Sequence, residues 1–96
     1  MKTLHLELVT PNARVWRGDV RSVTIPAAKG DMGVLPGHAP YLGLLNEGRV
    51  TVRTATRGQR PLAFKISGGY TEVLPDSVTI LADSAAQADL SPTPVP

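Results

Sequence analysis

The chain has 96 residues, a length that predicts a single small domain. It contains no cysteine, which excludes disulfides and thiolate metal sites. Its ten Lys and Arg residues are interleaved with eight acidic residues, so the net charge of +2 does not form the basic cluster that nucleic acid requires. No apolar run approaches the ~18 residues of a membrane span and no export signal is visible, so the sequence predicts a soluble protein without direct insertion into a bilayer.

Alternating apolar and polar residues predict strands from the start of the chain. Leu4, Leu6 and Leu8 alternate with His5 and Glu7, which is the period of two expected of a half-buried strand. Further extended pieces are predicted at residues 15–16, 20–25, 34–35 and 41–45, separated by turns or loops at 11–13, 18–19, 29–33 and 36–40.

The second half of the chain repeats this pattern. Val50 and Val52 alternate with Arg49, Thr51 and Arg53, so that one side of the strand is apolar and the other is polar. The strands predicted here cover residues 49–56, 62–66, 70–74 and 78–82. Turn signals recur every ~8–12 residues, so the sequence predicts an all-β fold, a flattened antiparallel β-sandwich or barrel of about eight to ten short strands.

The composition changes near the C-terminus. The predicted sandwich domain covers residues 1–83, and residues 84–96 are predicted to be a short, flexible tail rich in alanine and proline. The segment 84–90 has a composition suited to two helical turns, but Pro92, Pro94 and Pro96 cannot continue a helix.

Residues that could carry chemistry are few and lack a recognisable arrangement. The two histidines, His5 and His38, form a poor metal-binding set without cysteine. Gly30 and Gly33 match neither phosphate-loop fingerprint, and Ser67 lacks the Gly-x-Ser-x-Gly context of a nucleophile. Asp19, Asp31, Asp76 and Asp83 are predicted to lie at turns or element ends, where carboxylates bond local amides. The sequence therefore predicts no catalytic residue, no cofactor, no metal site and no small-molecule substrate.

Two surface features leave alternatives open. Several predicted strands have apolar residues at both the inward and the outward positions of the alternation, for example Leu44 beside Leu45 and Leu81 beside Ile80. This pattern is typical either of a docking face or of isolated exposed apolar residues. Arg49 and Arg53 share one face of a strand, which favours a solvated face over a polyanion site.

One motif carries a family resemblance. Residues 30–40 read Gly-Asp-Met-Gly-Val-Leu-Pro-Gly-His-Ala-Pro, and this run resembles the ε subunit of F-type ATP synthases. The segments 6–11, 66–73 and 78–83 resemble the same family, so that the resemblance covers residues 1 to about 90. It implies a non-catalytic subunit of the central-stalk rotor that couples ion translocation to ATP synthesis or hydrolysis. The implied partners are the γ subunit, the membrane rotor ring and, indirectly, the catalytic head.

The resemblance also implies which residues make these contacts. The expected rotor-ring contact consists of Lys29, Gly30, Asp31, Met32 and Gly33. The expected γ contact consists of Thr10, His38, Ala39 and Gly43. The expected location is the cytoplasmic face of the bacterial cell membrane, as a peripheral part of the complex.

The family also has a C-terminal helical hairpin, which is absent from residues 84–96, so no inhibitory arm is expected. The competing interpretation of the sequence is a free-standing β-sandwich that binds a ligand, or a small hydrolase. That interpretation would require a pocket with convergent polar groups.

Overall fold

The computed structural model describes residues 2–56 and 58–88, and this part of the chain contains nine strands and no helix. The strands are β1 (Leu4–Thr10), β2 (Ala13–Ala27), β3 (Gly30–Val34), β4 (Tyr41–Leu45), β5 (Gly48–Thr54), β6 (Leu62–Ile66), β7 (Gly69–Leu74), β8 (Ser77–Ala82) and β9 (Ala85–Ala88). The predicted all-β fold is confirmed, and the number of strands lies within the predicted range. No helix among the described residues has the length and apolarity needed to cross a bilayer.

The strands form a sheet that folds back on itself. Their hydrogen-bonded order is β1-β8-β7-β4-β2-β5-β6-β9, with β3 paired to β2 and β1 also paired to β2. The long strand β2 joins the two layers, because its first part pairs with β1 and its later part pairs with β5 and β3. Most pairs are antiparallel, as predicted, but β1 and β8 pair in parallel. This parallel pair arises because the first strand inserts between β2 and a strand near the end of the chain.

The core lies between the two layers and consists of aliphatic side chains from almost every strand. The alternation read from the sequence is confirmed here, since Leu4, Leu6 and Leu8 of β1 are fully buried. The largest other fully buried side chains are Val20, Val23, Ile25, Val34, Val50, Val52, Ile66, Val73 and Ile80. At ~25 cal/mol for each Å² of apolar surface removed from water, such burial is the main stabilising term of a domain without disulfides.

The turn predicted at Gly18 and Asp19 is wrong, because β2 runs through both residues without a break. Gly18 pairs with Leu6 on β1 and lies beneath the indole of Trp16. A Cβ at position 18 would lie 2.9 Å from that ring. Glycine is therefore present within the strand to make room for Trp16, whose half-buried ring packs near Phe64.

The loop predicted at residues 29–33 is wrong for most of its length. The turn occupies residues 28–29, and β3 begins at Gly30 and pairs with the end of β2. Met32 pairs with Ile25, is half-buried and packs against the core. Two glycines in five residues predicted a loop, but pairing with β2 satisfies the backbone donors and acceptors of this segment and makes it a strand.

The helical turns predicted after Ser84 are wrong within the described residues, where Ala85–Ala88 form β9 and pair with β6. The sheet therefore extends beyond the domain boundary predicted at residue 83. Alanine favours helices, but β6 presents an open edge whose hydrogen-bonding groups β9 satisfies, and this tertiary contact outweighs the propensity. The remainder of the predicted tail, residues 89–96, lies outside the described part of the chain.

Candidate docking surfaces

Large apolar side chains are exposed together on one outer side of the sandwich. We call this surface the apolar face; it consists of Leu42, Leu44, Tyr70, Leu74 and Leu81. The cross-strand register aligns its centre, because Leu44 on β4 lies opposite Tyr70 on β7, which lies opposite Leu81 on β8. Directly paired residues share one side of a sheet, so these three side chains form one line across three strands.

The side chains of the apolar face are highly exposed for large apolar groups. Leu42 is 70% exposed, Leu44 is 67% exposed and Tyr70 is 48% exposed. The alternate residues of β7, Thr71 and Val73, are fully buried, so β7 has a buried inner side and an outer side that carries Tyr70, Glu72 and Leu74. A grouped apolar surface on an outer sheet typically marks an interaction site, whereas single exposed leucines do not.

Two hollows flank the apolar face, and predicted γ contacts lie beside them. Thr10 lines a hollow of about 240 Å³ together with Val9, Tyr70 and Leu81. The second hollow, of about 260 Å³, includes Leu42 in its lining. Its remaining lining residues are Pro40, Tyr41, Glu72, Val73 and Leu74.

The other predicted γ contacts have different surroundings. His38 and Ala39 directly precede the second hollow in the chain, and the Nδ1 atom of His38 lies 2.6 Å from the carbonyl oxygen of Ala39, to which it can donate. Gly43 lies on the inward phase of β4, where a Cβ would meet the hydroxyl of Tyr41. The side chains that β4 presents outward next to Gly43 are therefore Leu42 and Leu44, which the prediction of the contact residues missed. The apolar residues on both phases of this segment were the signal for them.

Of the predicted rotor-ring residues, Lys29 lies in the β2–β3 turn and the other four lie in β3. Lys29, Gly30, Asp31 and Gly33 are all exposed, whereas Met32 faces inward. Gly30 has a φ of 129°, a conformation that side-chain-bearing residues rarely adopt. We call this segment, residues 29–33, the projection; it lies at the exposed end of the β2–β3 hairpin and presents one cation and one carboxylate.

The opposite outer side of the sandwich is cationic. We call this surface the cationic face; it consists of Arg49, Arg53 and Lys65, which are all exposed. Arg49 on β5 lies directly opposite Lys65 on β6, so that two like charges face each other across the strands. Within residues 2–56 and 58–88, the salt bridges involve only His5, with Glu7 and Asp19.

Groups that could hold a metal ion are not assembled in the part of the chain described. No three His, Asp or Glu side chains in residues 2–56 and 58–88 come together in an arrangement that could hold a metal ion. Ser67, which lacks the sequence context of a nucleophile, accepts a hydrogen bond from Ser84 at 2.8 Å. The described part of the chain is thus a β-sandwich with an apolar surface on one outer side and a cationic surface on the other.

The chain belongs to the family described as "ATP synthase, Delta/Epsilon chain, beta-sandwich domain", which it matches over residues 3–88. The ATP synthase epsilon chain of Caulobacter vibrioides is 43% identical over 88 residues, which cover 92% of this chain and 99% of that protein. The epsilon chain of Bacillus velezensis is 45% identical over 89 residues, which cover 93% of this chain and 65% of that protein. The chain therefore spans nearly all of one relative and about two thirds of the other.

Solved structures agree with this family. A chain of Euglena gracilis mitochondrial ATP synthase, in a structure of OSCP/F1/c-ring in rotational state 1, matches with a TM-score of 0.81 at 27% identity. This match covers 91% of the present chain and 54% of that chain. A chain of the Tetrahymena thermophila mitochondrial ATP synthase central stalk and c-ring matches with a TM-score of 0.72 at 16% identity over 90% of this chain and 69% of that chain, which shows the fold alone. The resemblance read from residues 30–40 is confirmed, and the expectation of a subunit rather than an enzyme agrees with this family.

Proposed function

We propose that the chain is the ε-type subunit of an ATP synthase rotor, where it joins the γ subunit to the membrane rotor ring and couples ion translocation to ATP synthesis or hydrolysis. The observation that carries this proposal is the apolar face, since a non-catalytic sandwich with grouped exposed leucines needs a protein partner. The relatives are named ATP synthase epsilon chains, and the Euglena structure contains F1 and a c-ring.

The γ subunit is the proposed partner of the apolar face. Thr10 lines the first hollow together with Tyr70 and Leu81, and His38 and Ala39 directly precede Pro40, which lines the second hollow together with Leu42 and Leu74. Hollows of about 240 and 260 Å³ can each receive a bulky side chain of a partner. Gly43 would take part through its backbone, between the outward side chains of Leu42 and Leu44.

The rotor ring is the proposed partner of the segment 29–33. This segment is an exposed projection, and Asp31 provides a carboxylate that can accept hydrogen bonds from polar loops or pair with their cations. Met32 would contribute by fixing the segment to the core rather than by direct contact. The proposed location is the cytoplasmic face of a bacterial cell membrane, as a peripheral part of the complex, with the catalytic head as an indirect partner.

A charge on the apolar face tests the γ contact. Leu44→Glu is expected to abolish co-purification of the chain with γ, because an uncompensated carboxylate would enter an apolar interface. The isolated variant should keep its melting temperature, since position 44 is exposed. The matched control is Leu35→Glu, the same change at a leucine that is 62% exposed and lies outside the sheet. Normal retention of Leu44→Glu by γ would contradict the assignment.

A charge reversal tests the ring contact. Asp31→Lys is expected to leave melting nearly unchanged, because exposed substitutions alter stability by no more than about 0.5 kcal/mol, and to weaken assembly with the ring. Asp76→Lys is the control, since Asp76 is also exposed and lies in a turn outside the segment 29–33. Purified complexes with Asp31→Lys that retain the subunit and pump ions normally would show that the ring contact is wrong.

A further inference from the structure

The turn that carries the proposed ring contact is held by a side chain from another part of the chain. The Nδ2 atom of Asn46 donates hydrogen bonds to the carbonyl oxygens of Ala27, at 3.2 Å, and Ala28, at 3.3 Å. These carbonyls end β2 and begin the turn that leads to Lys29. One amide group thus binds the last residue of β2 and the first residue of the turn, which together directly precede the projection.

Backbone contacts reinforce this attachment. The amide of Asn46 donates to the carbonyl of Pro26 at 2.8 Å, and the amide of Ala28 donates to the carbonyl of Leu44 at 3.1 Å. The start of β5 also packs closely on β2, since a Cβ at Gly48 would lie 2.8 Å from the Cβ of Pro26. The base of the projection therefore has contacts on several sides with the segment that follows β4.

The same segment leads directly to the apolar face. Leu44 presents its side chain on that face while its carbonyl accepts the hydrogen bond from Ala28. The distance in sequence from the apolar face to the side chain that holds the projection is therefore two residues, from Leu44 to Asn46. The apolar face and the projection are therefore connected through few residues and direct hydrogen bonds.

We infer that Asn46 is a positioning residue that fixes the ring-contact projection to strand β4, so that the two docking surfaces move as one rigid unit. Coupling in a rotor requires such stiffness, because a loose projection would yield to torque instead of transmitting it. The inference rests on the proposed function, since it requires that residues 29–33 contact the ring.

The first experiment measures, in the isolated full-length chain, how firmly Asn46 holds the turn after β2. Asn46→Asp keeps the size of the side chain but removes both donors and places a carboxylate beside two carbonyl oxygens. Hydrogen exchange at the amide of Ala28 is expected to become about tenfold faster, since a net hydrogen bond corresponds to roughly one order of magnitude in a local opening constant. Asn12→Asp, the same change at the other asparagine of the chain, should leave this amide unchanged. Unchanged exchange at Ala28 in Asn46→Asp would overturn the inference.

A second variant guards against a general effect of the added charge. Asn46→Ala also removes the donors, without a carboxylate, and is expected to speed exchange at Ala28 in the same direction. Exchange in the core strand β8 should stay slow in both variants, because the loss is local. Equal acceleration at Ala28 and in β8 would mean that Asn46 supports only global stability, which would overturn the positioning role.

The second experiment measures coupling in assembled ATP synthase, as ion pumping relative to ATP hydrolysis. Asn46→Asp is expected to lower this ratio, and the double variant with Asp31→Lys should be no worse than Asp31→Lys alone, because both changes act through the same contact. Additive losses, or a normal ratio in Asn46→Asp beside a lowered ratio in Asp31→Lys, would overturn the role of Asn46 alone. A normal ratio in Asp31→Lys would overturn the ring contact itself, and with it the proposed function of this segment.

Discussion

The two outer faces of the sandwich are built from the same strand pattern and carry opposite chemistry. Leu44, Tyr70 and Leu81 line one face, whereas Arg49 and Lys65 lie opposite each other on the other. Both faces cover a fully buried aliphatic core, so the inner residues do not distinguish them. The difference is confined to side chains that contribute little to folding.

This difference indicates which face has a partner. Charged residues on an outer sheet are stable in water and need no protein contact, whereas grouped leucines expose apolar surface at a cost that a docked protein removes. The cationic face also has opposed like charges, a small destabilisation that solvent and salt screen. We therefore expect substitutions on the apolar face to affect assembly and substitutions on the cationic face to affect stability only slightly.

The largest expected effect concerns the strand at the centre of the apolar face. At Gly69, the first residue of β7, φ is 139° and a Cβ would meet the carbonyl oxygen of Leu81. Gly69→Ala should therefore lower the free energy of unfolding by at least about 2–3 kcal/mol, through backbone strain and a lost close approach to β8. Urea denaturation measures this change.

The control for this substitution is Gly33→Ala. Gly33 also lies within a strand, but nothing is within 4 Å of a Cβ built there. Its replacement should change the free energy of unfolding by no more than about 0.5 kcal/mol. Equal stability of the two variants would show that the close approach of Gly69 to Leu81 does not contribute to the stability of the strands that form the apolar face.

An intermediate effect is expected at the middle of the apolar face. Tyr70→Ala should weaken the affinity for γ about 10- to 100-fold, because a central aromatic side chain between two leucines is typical of the residues that dominate binding. Glu72→Ala, at the next outward position of β7, should weaken it much less. Titration calorimetry of both variants with γ measures the difference, and similar affinities would argue against an apolar contact centred on Tyr70.

The smallest expected effect concerns the cationic face and has the opposite sign. Arg49→Glu should raise the free energy of unfolding by roughly 0.2–1 kcal/mol. The reason is that a glutamate at this position would attract Lys65 across the strands, whereas Arg49 repels it. Arg53→Glu should bring no such gain, since Arg53 lies opposite Ser22. Denaturation at low salt measures both variants, and a loss of stability in Arg49→Glu would contradict the proposed repulsion.

Much of the fold could be predicted from local patterns. The alternation of Leu4, Leu6 and Leu8 predicted both the first strand and its buried side, and glycine and proline marked most of the turns. The motif at residues 30–40 was sufficient to identify the family, because its combination of glycine, proline and histidine at turn positions is specific. Local patterns failed at Gly18, in β3 and in β9, where pairing with a distant strand or packing against Trp16 determined the conformation.

The candidate site was predictable only in part. The expected contacts Thr10, His38 and Ala39 came from the resemblance, and their assignment to γ stays a prediction, as does that of Gly43 and of residues 29–33 to their partners. Apolar residues at both inward and outward strand positions were compatible with a docking face but did not show where on the surface it lies. Leu44, Tyr70 and Leu81 are separated by many residues in the chain and share no local pattern.

The sequence alone thus determined the strand periodicity, the all-β class and the family, because these depend on residues close together in the chain. The tertiary structure decided which outward residues meet. Cross-strand register brought Leu44, Tyr70 and Leu81 into one line, and the end of β4 brought Asn46 to the turn after Ala27. Register depends on how distant strands pair to bury the core, and this is the physical reason that no local pattern could predict these contacts.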